Sequence, residues 1–196
     1  NIITLDEDGN FVENQIIEYA DYDNYGNALN QTISREDESG NLLDTKEIIN
    51  TYSDESEHTG DTLASEITTK DENGNFVEAQ SIEYANYDEY GNALVQTIER
   101  KDERGKVFDT KEIVNTYSDL GEHKGDTLAS EITTLDEDGN FVEAQSIGYA
   151  NYDEYGNALN QTIAKKDEAG NLLDTKEITN TYSDLGEHKG DTTSSS

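Results

Sequence analysis

The chain repeats itself every 65 residues without an insertion or deletion to break the register. Tyr25, Tyr90 and Tyr155 stand 65 apart, as do His58, His123 and His188. A sequence that returns at a fixed spacing must fold into units that fit their neighbours as well as themselves, and this constrains the fold more than any composition does. The units are residues 1–63, 64–128 and 129–193, with a tail at 194–196. Because the pattern is already under way at residue 1 and is cut off at residue 196, the sequence reads as an excerpt of something longer.

Within one copy, Asp-x-x-Gly recurs at 71–74, 88–91 and 102–105. Asp at the first position of a type I turn accepts backbone hydrogen bonds, and Gly at the fourth takes the left-handed conformation. Together they make a hairpin loop ending in a bulge. The segments between corners, 75–87, 92–101, 106–118 and 126–135, are rich in Thr, Ile, Val, Tyr and Phe and read as strands. A longer corner, "DLGEHKGD" at 119–126, carries the only His of the copy. No apolar stripe of helical period persists. The alternation of long and short segments implies an older duplication inside each copy, so that the basic brick is one long antiparallel hairpin. "GDTLASEITT" reads as strand straight across the junctions at 60–69 and 125–134, which predicts one continuous β architecture rather than three beads.

The second and third copies differ at 12 of 65 positions, mostly near corners or on one strand face. Glu83 becomes Gly148 and Val114 becomes Thr179, which places those positions in solvent. Phe76, Ile82, Tyr84, Tyr87, Leu94, Ile98, Ile113, Tyr117 and Ile132 do not change and are the expected buried set. Tyr84 and Tyr87 fall on opposite faces of a regular strand, which requires a bulge between them or partial cover on both faces.

Composition narrows the function classes. Leu, Ile, Val and Phe make up only 38 of 196 residues, and the net charge is −32, a balance that borders on disorder. Twelve Tyr, four at the same positions of each copy, argue for order and for a thin core built on aromatic rings. There is no Cys, so neither a disulfide framework nor a thiol site exists. No apolar run is long enough to span a bilayer, and no signal-peptide pattern is visible. So acidic a chain should repel nucleic acid and anionic membrane. The expectation is therefore no nucleic-acid partner and no membrane insertion within this segment.

"YDxxGN" followed by a strand and then "DxxGN" resembles the YD repeat of the RHS family of bacterial toxin shells and surface proteins. The matching residues are Tyr22-Asp23, Tyr87-Asp88 and Tyr152-Asp153, with Gly26-Asn27, Gly91-Asn92 and Gly156-Asn157. "NTYSD" at 50–54, 115–119 and 180–184 is similar to a second such corner. The unit here is longer than the family's and lacks its "GR" corner. The resemblance implies an all-β fold in which tandem 65-residue repeats of long antiparallel hairpins form a continuous, curved or superhelical sheet.

No catalytic, cofactor or metal residues are expected. Paired carboxylates abound, yet an enzyme needs two in one cleft with separated pKa values, whereas every acid here recurs in each copy. His58, His123 and His188 read as solvated loop residues, since one His per copy lacks partner ligands. "DEDGN" at 6–10 and 136–140 has the look of a calcium loop but lacks the twelfth-position Glu, so it reads as a hairpin corner. Lys46, Lys111 and Lys176 in "DTKEI" suggest isopeptide chemistry less than ordinary cross-strand ion pairs. The expected role is a non-enzymatic structural segment of a large bacterial extracellular or cell-surface protein, acting as stalk, fibre or shell wall. Its partners would be neighbouring repeats of the same chain and other copies in a filament. The alternative is a repeated binding module for weak calcium or carbohydrate adhesion, with the tyrosines as a sugar-stacking platform.

Overall fold

The computed structural model describes residues 1–6, 9–55, 59–119, 121, 124–153, 156–182 and 192–195. His58, His123 and His188 lie outside them. The described residues are strands and turns with no α-helix, and thirteen antiparallel strands follow one another in a single sheet order. The chain divides into two compact units, residues 1–84 with 97–109 and residues 85–96 with 110–196.

In the first unit β1 (Ile2–Leu5), β2 (Phe11–Tyr22), β3 (Ala28–Glu36), β4 (Leu42–Tyr52), β5 (Thr62–Asp71) and the start of β6 (Phe76–Tyr87) pair in succession. In the second, β9 (Thr127–Asp136), β10 (Phe141–Tyr152), β11 (Ala158–Lys166), β12 (Leu172–Tyr182) and β13 (Thr192–Ser195) do the same. Strands β7 (Ala93–Lys101) and β8 (Val107–Tyr117) complete the order. The observed β6 to β9 match the strand segments read from the sequence to within a residue at either end. The junction of the first two repeats, at 63/64, lies inside β5, and that of the next two, at 128/129, lies inside β9.

The corners form as their residues dictate. At the corner between β5 and β6 the Asp71 amide donates to the Asn75 carbonyl (2.9 Å) and the Gly74 amide to the Asp71 carbonyl (3.0 Å). The Asp71 carboxylate then accepts the amides of Asn73 and Asn75 and the Asn75 side-chain amide. Gly74 sits at φ +79°, where a side chain would strain the backbone. Just past the corner Phe76 pairs with Lys70 and Glu78 with Thr69, so Val77 is an extra, bulged residue. Val12, Leu43, Leu63, Val142 and Leu173 are bulged in the same way. The bulge turns each of these side chains out of the ladder, which explains why these six apolar residues are exposed, Val77 by 57%.

The long corner is closed by the same two hydrogen bonds, with Ser in the role of Asp. Ser118 donates its amide to the Asp126 carbonyl and accepts from the Gly125 amide, both at 2.8 Å, and Ser53, Asp61 and Gly60 repeat this. Gly thus stands seven residues after the closing residue instead of three.

The expected buried set is not buried. Phe76, Ile82, Tyr84, Tyr87, Leu94, Ile98, Ile113, Tyr117 and Ile132 are all half-exposed, and no apolar side chain among the described residues is fully buried. Within each unit, the strands in extensive contact among the described residues are sequence neighbours. Each ring or branched chain therefore takes cover chiefly from same-face neighbours on adjacent strands. Glu83 and Val114 do face solvent. A left-handed residue, Asn86 at φ +55°, separates Tyr84 from Tyr87, and Asp21 and Asn151 take the same conformation in the other copies. Asn and Asp are the side chains that accept this region most readily.

What is buried is polar and small: Ser53, Ser65, Ser81, Asn115, Ser118, Ser130 and Asn180. Ser65 donates its hydroxyl to Asn50 Oδ1 (2.7 Å). The Asn50 amide (3.4 Å) and the Tyr52 hydroxyl (3.1 Å) both donate to the Ala28 carbonyl. Ser130, Asn115, Tyr117 and Ala93 make the same four-part network one period later. Asn180, Tyr182 and Ala158 repeat its second half. These partners offset the desolvation that buried polar atoms would otherwise suffer.

Candidate functional site

The network brings two corners together in the first and second repeats. Tyr52 reaches across to Ala28, so "NTYSD" is pinned against the segment that leaves "YDNYGNAL". A cleft of about 280 Å³ opens between them, lined by Asp23, Asn24, Tyr25, Leu29 and residues 50–54. In the second repeat the lining is the same set of positions 65 residues on, with a volume of about 380 Å³. In the third repeat a cleft of about 310 Å³ gathers Tyr149, Tyr152 and Tyr182 around Gln161. Some of the tyrosines thus converge as walls of open clefts: Tyr25 with Tyr52, Tyr90 with Tyr117, and Tyr149 with Tyr152 and Tyr182, whereas Tyr84 and Tyr87 line none of them.

In the second-repeat cleft the ionisable groups Asp88 and Tyr117 are tied into the fold. Asp88 accepts hydrogen bonds from the Tyr90 and Asn92 amides and from the Asn92 side chain. Partial burial opposes its ionisation, but these hydrogen bonds outweigh it and hold its pKa below the usual carboxylate value. Its oxygens are committed to the turn. Tyr117 is pushed above the ordinary phenol value, first by burial and then by the charge of Asp88, so its hydroxyl stays protonated. A proton-transfer pair would instead have one free base poised near neutrality. In the second repeat Lys124 Nζ lies 2.6 Å from the Tyr90 hydroxyl, which itself donates to Glu89.

Other charged groups form cross-strand ties. Arg35 holds Asp44 through Nε (2.9 and 3.1 Å) and Glu13 through Nη1 (3.2 Å), linking β2, β3 and β4. Arg100 holds Asp109 (2.9 Å) and lies 4.9 Å from the Phe108 ring centroid. Both guanidinium pKa values are raised, principally by the hydrogen bonds to their Asp partners. The "DTKEI" lysines are exposed; Lys46 faces Ile33 and Thr69 in register, and the charges of Lys46 and Lys111 act on Asp44 and on Glu143. Close cross-strand pairs are made by Lys70 with Glu47 (2.8 Å), Lys165 with Glu143 (3.3 Å) and Lys166 with Glu131 (3.5 Å). "DEDGN" at 136–140 forms a hairpin corner in which Asp136 caps Asp138 and Asn140. Among the described residues no three His, Asp or Glu side chains gather as a metal site, and no helix is long and apolar enough to cross a membrane.

No protein-family model matches the chain, and no curated relative matches it.

Proposed function

We propose that the chain is a non-enzymatic structural repeat segment of a large bacterial extracellular or cell-surface protein, of RHS/YD-repeat kind, serving as stalk, fibre or shell wall. The observation that carries this reading is strand β5. It crosses the junction of the first two repeats, pairing with β4 of the first from Thr62 to Asp71 and with β6 of the second from Ala64 to Lys70. A module that works alone is normally set off by a linker. Here the join is a doubly paired strand, so adding a repeat lengthens the ladder. The acidic surface supplies solubility, and the partners are neighbouring repeats and other copies of the chain.

The Tyr-lined clefts support a second reading, a repeated module for carbohydrate adhesion with each copy adding avidity. The test compares Tyr25→Ala and Tyr90→Ala with the parent for melting midpoint and for adhesion to glycan arrays and cells. A structural segment shows no adhesion to lose, and chains of two, three and four repeats gain length by a constant increment. Lost adhesion at an unchanged midpoint would overturn the spacer in favour of the module.

A further inference from the structure

Two corners at the same place in successive repeats differ by one side-chain amide. The corner from Asp71 to Asn75 reads Asp-Glu-Asn-Gly-Asn, and its counterpart from Asp136 to Asn140 reads Asp-Glu-Asp-Gly-Asn. Their bonds coincide. The backbone amides of Asn73 and Asp138 donate to the carboxylates of Asp71 and Asp136, each at 2.9 Å. The amides of Gly74 and Gly139 donate to the carbonyls of the same two residues, each at 3.0 Å, with φ +79° and +78°. The corner thus holds either an amide or a carboxylate at its third position without rearranging. Asp8, the counterpart in the first repeat, lies outside the described residues.

Asn73-Gly74 is also the one Asn-Gly step in the 196 residues. The side-chain amide carbon of an Asn is open to attack by the backbone nitrogen of the next residue, which closes a cyclic imide. A side chain on that next residue crowds the ring. Gly74 has none, and beyond its chain neighbours no atom lies within 4 Å of where its Cβ would stand. Both residues are exposed, so water and base reach them. Other corner asparagines are poorer sites. Asn75 and Asn92 give their side-chain amides to the corner carboxylate (2.9 and 3.0 Å), and Phe76 and Ala93 follow them. One contact holds Asn73 back. The attacking nitrogen is the one that donates to the Asp71 carbonyl, so the corner must open first. Exposed hairpin tips open at low cost.

We propose that Asn73 is a site of spontaneous covalent modification, gated by the opening of its own corner. The Gly74 nitrogen gives its proton to solvent base and bonds to Asn73 Cγ. The bond from Cγ to the side-chain nitrogen breaks, and that nitrogen takes up a proton and leaves as ammonia. Water then opens the imide. Attack at the side-chain carbonyl yields Asp, and attack at the backbone carbonyl yields isoaspartate. No oxidant or reductant takes part. The Asp product is the corner that Asp138 already shows. The isoaspartate product puts an extra carbon into the backbone between the amides of residues 73 and 74, so Asp71 no longer fits both at once. Either product adds one negative charge to the tip. This chemistry stands apart from the spacer reading, which survives its failure.

The test ages the 196-residue chain in mildly alkaline buffer and follows each asparagine by peptide mass spectrometry, with electron-transfer fragmentation to tell Asp from isoaspartate. A free peptide of residues 69–77 is aged beside it. The expected result is conversion at Asn73 ahead of every other asparagine, with both products formed, and more slowly than in the peptide. Asp71→Ala removes the carboxylate that caps the corner and speeds conversion about tenfold, the change in open population that one hydrogen bond is worth. Unfolding in urea brings the rate to that of the peptide. An Asn73 that converts no faster than the other asparagines, or that gives Asp without isoaspartate, overturns the site. A rate in the folded chain equal to that of the peptide, or one that Asp71→Ala leaves unchanged, overturns the gate.

Discussion

Asn115 is the residue on which a repeat turns. Only 9% exposed, it accepts the Ser130 hydroxyl and donates to the Ala93 carbonyl. Asn115→Ala therefore strands a buried hydroxyl and weakens the cap on a carbonyl, and should cost about 1–3 kcal/mol. Its neighbour Val114, 51% exposed, should lose no more than about 0.5 kcal/mol on change to Ala. Denaturant melts of the two variants check the order, which reverses what hydrophobicity alone would assign. The sequence already shows Asn115 and Ser130 unchanged between copies, but an Asn in a strand carries no sign of being buried. The corner Asp and Gly residues are legible because their chemistry is local: a carboxylate capping amides two and four residues on needs no knowledge of the rest of the chain. Burial of Asn115 depends on partners 15 and 22 residues away, which no local pattern marks.

Strands β6 to β9 can be read from composition between corners, because each corner ends one strand and starts the next. Two features inside the elements cannot. The bulged Val77 and Val142 look like core residues until the register shows that the ladder skips them. Asn86 looks like a weak strand residue until its φ of +55° is known. Strand propensity would favour Val there. In the left-handed region a β-branched side chain is strained, so Asn86→Val should destabilise by about 1–2 kcal/mol, while Asn86→Gly should be near neutral. Thermal melts of the pair decide it. Equal midpoints would mean that the left-handed turn before Tyr87 is dispensable. The long corner shows the same limit. Its Gly125 is visible in the sequence, but the partner that closes it, Ser118, lies seven residues back, and no short turn motif spans that distance.

At the scale of the whole chain, a net charge of −32 and the lack of a buried apolar side chain among the described residues leave stability to paired backbone, polar networks and half-covered rings. Acid tests the corners. Asp37, Asp71, Asp136 and Asp167 are held below the usual carboxylate pKa, first by the Asn side chain four residues on and then by its amide. A pKa lowered in the folded state gives stability that is complete above the unfolded value near ~3.9 and is lost as pH falls through the folded value. The melting midpoint should therefore not fall between pH 7 and about 4, where partial protonation also relieves self-repulsion. It should drop below that, and less steeply for Asp71→Asn with Asp136→Asn. The junction provides the last prediction. Most residues of β5 are paired to a neighbour on both sides, so a protease can open residues 62–69 only by unzipping two ladders that belong to different repeats. Proteolysis follows the cost of local opening, and exposed corners open more cheaply than a doubly paired strand. Broad-specificity digestion should accordingly cut at corners first and leave residues 62–69 and 127–134 intact. Early cleavage at 62–69 and 127–134 into pieces of about 65 residues would mean that each repeat holds itself together alone. The strand across the junction would then be a linker in extended form, and the argument for a continuous structural segment would fail with it.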